Sequence, residues 1–442
     1  MKVNFSDHLT YKKLFKVTLP SMLMMLFTSI YSIIDGLFVS NVAGKDAFAA
    51  VNLMMPIILI VGSLGFMMGS GGAALVAKTL GEKEERQACE YFSLIVYFTM
   101  ILGIVVSLAI YFFIEPIAKA LGSTEEMLPY AVKYTRIMII FEVMYMLQNA
   151  FQNLFVAANK PLFGFYISII AGLVNIVGDY LLVKVFNFGV EGAAIATGLS
   201  QTIAAIIPII YFARPNTSAL RLCKTPINVK VIVKACTNGS SELLTNISQS
   251  LVSIVYNKQL LSYIGSNGVS AYGVIMYVGF MFNALYMGYA LGQSGFVSYN
   301  YGACNHSELK NIRKKSININ IILGVLMITL VEIFARPLSL IFVGYDKELL
   351  DITVFGFRIY GISFVFAGIN IYSSSFFTSL SNGLISGLSS TLRTLVFQII
   401  SVLTLPLIFG FNGIWSSIIV AEGLALIMNI IFLVKYQRVY NY

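Results

Sequence analysis

Tyr91-Phe-Ser-Leu-Ile-Val-Tyr-Phe-Thr-Met-Ile-Leu-Gly-Ile-Val-Val-Ser-Leu-Ala-Ile-Tyr-Phe-Phe113 runs without a charged residue. Roughly 20 apolar residues rising 1.5 Å each span the hydrocarbon of a bilayer. Lipid offers backbone N–H and C=O groups no partners, so such a run must be a helix. The stretches Ile317–Phe334 and Ile414–Val434 repeat the pattern with one acid each. Outward from these, apolar segments predict helices over 15–40, 49–77, 89–113, 132–157, 163–186, 192–213, 236–263, 269–299, 317–335, 352–379, 387–408 and 413–434. The fold class expected is an all-α integral membrane protein of twelve transmembrane helices. The first helix is too long for a signal-peptide core and lacks a small-residue cleavage site, so it is expected to be retained.

Composition agrees. Hydrophobic residues make up 58% and charged residues 11% of the 442, less than half the charge of an ordinary soluble chain. The net charge of +9 is a topology signal. With an even number of spans, both termini share one side, and nineteen Lys and Arg residues fall there against about eight opposite. Lys2, Lys12, Lys13, Lys16, Lys310, Arg313, Lys314 and Lys315 are among them. That asymmetry predicts cytoplasmic termini and no nucleic-acid partner. The cysteines Cys89, Cys223, Cys236 and Cys304 fall near the same side, and reduced thiols are expected there.

The polar connection 214–234 divides the chain into 1–213 and 235–442, each with six helices. Sliding the first half along the second at one constant offset superposes Gly44 on Gly265, Gly71 on Gly292, Gly81 on Gly302, Pro116 on Pro337 and Asn149 on Asn370. Two parallel six-helix lobes, related by an axis along the membrane normal with a cavity between them, are therefore expected.

Acids within spans are expensive and point to function. Asp35 in the first helix and Asp179 in the fifth lie deepest, with Asn175 one turn before Asp179 on the same face and Thr197 in the sixth helix. Together they offer two carboxylates, an amide oxygen and a hydroxyl. Such a set can share a proton or ligate sodium; no other metal or cofactor is expected. The alternative is that the two acids simply bond neighbouring helices. The counterparts in the second half are Tyr256, Val396, Ile400 and Ile418, so the set is expected in one lobe only. Pro20, earlier in the same helix as Asp35, frees a carbonyl and marks a hinge or a fixed kink.

Weaker candidates remain. Glu242 lies among Asn238, Ser240, Ser241, Thr245 and Asn246, so Glu242 and Asn246 are candidates for a substrate cavity. Met276, Tyr277, Met281 and Phe282 form a soft aromatic face on the eighth helix, suited to cavity lining or to packing. Glu142 is expected to pair with Arg136, and Glu332 with Arg336, near helix ends; Glu422 in the twelfth helix is a further acid. Gly72-Ala-Ala-Leu-Val-Ala-Lys78-Thr79 is not a P-loop, because Ala77 replaces the second glycine and no strand precedes it. His8 and His306 lack partners at metal-ligand spacing. With no catalytic set the chain is not expected to be an enzyme, and an ion gradient would drive it.

Taken in order, Thr18-Leu-Pro20-Ser, Ile33-Ile-Asp35-Gly-Leu-Phe-Val-Ser40, Met68-Gly-Ser-Gly-Gly with Leu80-Gly, Asn175-Ile-Val-Gly-Asp179-Tyr and Gly189-Val-Glu-Gly-Ala-Ala-Ile-Ala-Thr197 resemble the multidrug and toxin extrusion (MATE) family. That family lies within the multidrug, oligosaccharide-lipid and polysaccharide flippase superfamily, and the resemblance covers nearly the whole chain. Gly239-Ser-Ser-Glu242 with Asn246 is similar to its DNA-damage-inducible branch. The resemblance implies a plasma-membrane antiporter that exports amphipathic, cationic drugs in exchange for protons or sodium, and so contributes to antibiotic resistance. It further implies a cation site at Asp35, Asn175, Asp179 and Thr197, and a bending helix at Pro20. Another branch couples through second-lobe acids, but Gln249 stands at the corresponding place and the tenth helix has no obvious aspartate. A monomer in the bilayer with small organic substrates is expected. A lipid-linked sugar flippase is the alternative, with Arg358, Arg393 and Lys258 as its few cationic candidates.

Overall fold

The computed structural model describes residues 3–42 and 45–442, with all side chains except those of residue 32 and residues 36–49. Lys2 and Gly44 lie outside the described residues, as do the side chains of residues 37–40. The helices are α1 (Tyr11–Val42), α2 (Lys45–Gly81), α3 (Glu85–Ala120), α4 (Leu128–Ala157), α5 (Pro161–Val185), α6 (Gly189–Ala213), α7 (Val229–Tyr263), α8 (Ser266–Gly302), α9 (His306–Val343), α10 (Lys347–Ile362 and Phe364–Ser379), α11 (Gly383–Phe409) and α12 (Phe411–Tyr440). They run several residues beyond the apolar windows, because polar ends continue as helix past the hydrocarbon.

Among the described residues nine helices are long and apolar enough to cross a membrane, and α10, bent by 48° at its break, makes a tenth. Helices α4 and α7 complete the twelve but are more polar. They bury Glu142, Gln148, Asn149, Gln152 and Asn153, and Asn238, Ser241 and Ser248, inside the bundle. Polar side chains that face other helices find partners that lipid cannot supply. At the break in α10, Tyr286 donates its hydroxyl to the Phe364 carbonyl at 2.9 Å, which satisfies backbone beside the kink.

The lobes meet at the end that carries both termini. Gly81 packs on the carbonyl of Tyr299, and Gly302 packs on the carbonyl of Lys78. Gly81 and Gly302 stand at the same sequence offset as Lys78 and Tyr299, so one contact is the two-fold image of the other. Gly71 presses on α7 at Ala235 and Gly239 while Gly292 presses on α1 at Thr18; Thr18 and Gly239 are again equivalent positions at that offset. A Cβ at these glycines would overlap backbone, which explains why the shared landmarks are glycines. The first turns of α1 and α7 cross the boundary. Leu14, Val17 and Met22 join the second lobe's core, and Val231 and Ala235 join the first lobe's.

The segment before α1 extends this closure. Phe5 stacks on Tyr299 at 5.3 Å and meets Phe296 edge-on. His8 Nδ1 lies 2.7 Å from Glu308, whose other oxygen accepts from the Leu9 N–H at 2.9 Å. Asn159 of the first lobe donates to the Val3 carbonyl at 3.0 Å.

Candidate functional site

Helix α1 packs against α5 and α6, so Asp35 faces both. Gly172 admits the approach: a Cβ there would stand 2.6 Å from the Phe27 ring of α1. Asn175 and Asp179 are buried, while Asp35 and Thr197 are half-buried. A π-helical turn, Tyr180–Val185, begins directly after Asp179; such turns widen a helix locally and recur at functional sites.

The structure brings the four predicted residues together. Asn175 donates from Nδ2 to Thr197 Oγ1 at 3.2 Å, and Thr197 donates to Asp35 Oδ1 at 3.3 Å. The Asp35 and Asp179 carboxyls are neighbours, yet among the described residues no donor meets either Asp179 oxygen or Asn175 Oδ1. Ionised carboxylates only accept hydrogen bonds. Two of them with an amide oxygen and a hydroxyl leave a seat that a proton or a small hard cation completes. Oxygen-only ligation suits such an ion and not a soft metal. Among the described residues no group of three His, Cys, Asp or Glu could hold a metal ion. Tyr31, which accepts from Gln148 Nε2 at 3.3 Å, faces Asp35 from one turn earlier on α1.

Several expectations need correction. Glu142 does not pair with Arg136: Glu142 is fully buried with no partner on either oxygen among the described residues, and Arg136 lies over the Tyr111 ring. Glu332 pairs with Arg358 at 3.3 Å instead of Arg336, because the Lys347–Ile362 segment packs along α9. The second lobe is not bare of polar chemistry either. Arg393 donates from Nε to both Glu422 oxygens at 2.9 and 3.0 Å. Glu422 also accepts from Asn370 at 2.7 Å. Asn429 donates to Asn370 at 3.0 Å and accepts from Ser389 at 2.6 Å. Arg393 itself sits in a second π-helical turn, Leu392–Val396. Both charges were visible as intramembrane oddities in the sequence. Their pairing was not, because residues on different helices carry no shared periodicity.

The weaker cavity candidates separate. Met276 and Phe282 pack on the second lobe's core, with Phe282 stacked on Phe364 at 5.2 Å. Tyr277 is exposed and Met281 half-buried. Glu242 and Asn246 are half-buried on one face of α7, where Asn246 Nδ2 donates to the Glu242 carbonyl at 2.9 Å. Pro20 lies within an unbroken α1. All four cysteines are free.

Comparison with known proteins agrees with this architecture. The family model MatE matches twice, over residues 20–181 and 243–404. The second match repeats the first at nearly the same offset as the glycine contacts. The chain is 26% identical over 448 residues to the multidrug export protein MepA of Staphylococcus saprophyticus, covering 98% of this chain and 95% of that one. The MepA of Staphylococcus aureus is 25% identical over 441 residues with the same coverage. A solved MATE family transporter of the MOP superfamily superposes with a TM-score of 0.93 at 19% identity, covering 98% of this chain and 97% of the other; at that identity the likeness concerns the fold. The helices, the two lobes and the doubled match lead to one conclusion: the chain belongs to the MatE family of multidrug and toxin extrusion transporters and is not an enzyme.

Proposed function

We propose that the protein is a cation-coupled antiporter that exports amphipathic, cationic organic compounds by alternating access. It works as a monomer in the cell membrane with both termini in the cytoplasm. The observation that carries this reading is the chain of hydrogen bonds from Asn175 through Thr197 to Asp35, beside Asp179, whose buried oxygens meet no donor among the described residues. Holding two acids without a compensating charge in a membrane is costly. The arrangement is therefore best suited to binding H+ or Na+ on one side and releasing it on the other. MepA relatives are named for multidrug export, which favours organic drugs as the exported cargo.

The flippase alternative asks for free cationic side chains to hold a pyrophosphate. Arg393 is engaged by Glu422 and Arg358 by Glu332, and this disfavours it. The test is efflux of a fluorescent organic cation from proteoliposomes, with pH and sodium gradients imposed separately. Efflux should follow one gradient and vanish in both Asp35→Asn and Asp179→Asn while membrane insertion persists. Full efflux from both variants would remove the cation site.

A further inference from the structure

Residues 3–10 precede α1 and touch both lobes at the end that the glycine contacts close. On the second lobe the hold is broad. Val3 and Phe5 pack against that lobe's core, and Asn300 on α8 donates from Nδ2 to the Phe5 carbonyl at 3.2 Å. The Leu9 N–H reaches Glu308, whose side chain is 7% exposed, and the Leu9 carbonyl accepts from Asn311 at 3.0 Å. Backbone groups outside a helix need such partners, and side chains of the second lobe supply them. The ring that Phe5 stacks on belongs to Tyr299, whose carbonyl meets Gly81 of the first lobe. The segment therefore covers a crossing point between the lobes.

On the first lobe the hold is narrow. Asn159 follows α4 with a φ of 55°, a left-handed conformation that asparagine adopts more readily than most side chains. From that turn its Nδ2 donates to the Val3 carbonyl at 3.0 Å. Among the described residues no other hydrogen bond joins the segment to the first lobe. Val3 thus packs its side chain on one lobe and bonds its carbonyl to the other. The chain that leads into α7 does not bridge in this way. Ser218 donates to the Ala158 carbonyl at 3.2 Å and the Cys223 N–H to Ser93 at 2.9 Å, both partners lying in the first lobe.

We propose that residues 3–10 are a latch, carried by the second lobe, that holds the terminal end shut through Asn159. The inference rests on the alternating-access reading, in which this end opens. Leu14, Val17 and Met22 seat the start of α1 in the second lobe's core, so the segment leaves with that lobe. The bond from Asn159 to Val3 is then the one that breaks as the lobes part, and it reforms when they close. Its strength sets how readily the end opens, without any change at Asp35 or Asp179.

The test measures how fast Cys236 reacts with a water-soluble maleimide in purified full-length protein lacking the other three cysteines. Its sulfur lies 3.4 Å from Met68 across the lobe boundary, so it becomes reactive when that end opens. Asn159→Gly keeps the left-handed turn and removes the donor, and should speed the reaction roughly fivefold. Phe5→Ala should speed it roughly tenfold, with helical circular dichroism unchanged in both. If Phe5→Ala does not fold, Phe5→Leu keeps an apolar side chain without the ring stacking and should give a smaller rise. Wild-type rates in Asn159→Gly or in the folded Phe5 variant would overturn the latch alone. A Cys236 that reacts in no variant, with or without the fluorescent cation, would defeat opening at this end and the latch with it.

Discussion

Thr197 brings a single hydrogen to the site, and its position makes that hydrogen count. Its hydroxyl passes a hydrogen bond from Asn175 on to Asp35, and hydrogen bonds to charged groups contribute about 1.5–3 kcal/mol. Thr197→Val should therefore weaken coupling-ion affinity by roughly tenfold or more, measured as the ion concentration for half-maximal efflux, while folding is retained. Arg393 makes the opposite kind of test. Removing one partner of a buried pair typically costs about 3–5 kcal/mol, whereas removing both can be nearly neutral. Arg393→Met should lower the unfolding midpoint in detergent well below that of the Arg393→Met, Glu422→Met double variant. Equal midpoints would mean that the 2.9 Å contact contributes nothing to stability.

Helices α1 and α8, and α2 and α7, cross at glycines that stand against backbone. Introducing side chains into such packed positions commonly costs about 1–3 kcal/mol. Here the strain falls on the boundary between lobes, leaving the core of each intact. Gly302→Leu should thus preserve insertion and each lobe's fold but impair closure of the terminal end, read as lost efflux with retained helical circular dichroism. Pro20 belongs to the same scale. Its ring supplies no backbone N–H to the helical ladder, making α1 softer between the lobe contact at Thr18 and the acid at Asp35. Pro20→Ala should slow transport more than it weakens ion binding. A loss confined to binding would place the role of Pro20 in the site and not in movement.

Across the whole molecule, closure at one end means that alternating access must separate the same surfaces. Cys236 Sγ lies 3.4 Å from Met68 Sδ across the lobe boundary. In a variant lacking Cys89, Cys223 and Cys304, Met68→Cys should cross-link to Cys236 on oxidation. Efflux should then stop and return with reductant. Unimpaired efflux from the cross-linked protein would show that this end does not open during transport. The energetics suffice without nucleotide. Exchange of one inward cation for one outward organic cation moves no net charge, so the concentration gradient of the coupling ion drives it, each tenfold of that gradient supplying about 1.4 kcal/mol.

Charge-free runs such as Tyr91–Phe113, the constant offset between the halves and the acids at Asp35 and Asp179 were legible from order alone. Each is a local or strictly periodic property: hydrophobicity along one helix, glycine at a repeated crossing, charge where lipid penalises it. Tertiary structure alone decided which groups meet. It engaged Arg393 with Glu422, moved Glu332 to Arg358, left Glu142 buried without a partner among the described residues, and drew Asp35 to Thr197 from distant parts of the chain. Those pairings depend on the rotation and bending of helices, including a 48° break in α10 and two π-helical turns. Packing against neighbours sets that rotation, and a linear sequence does not encode it in any single segment.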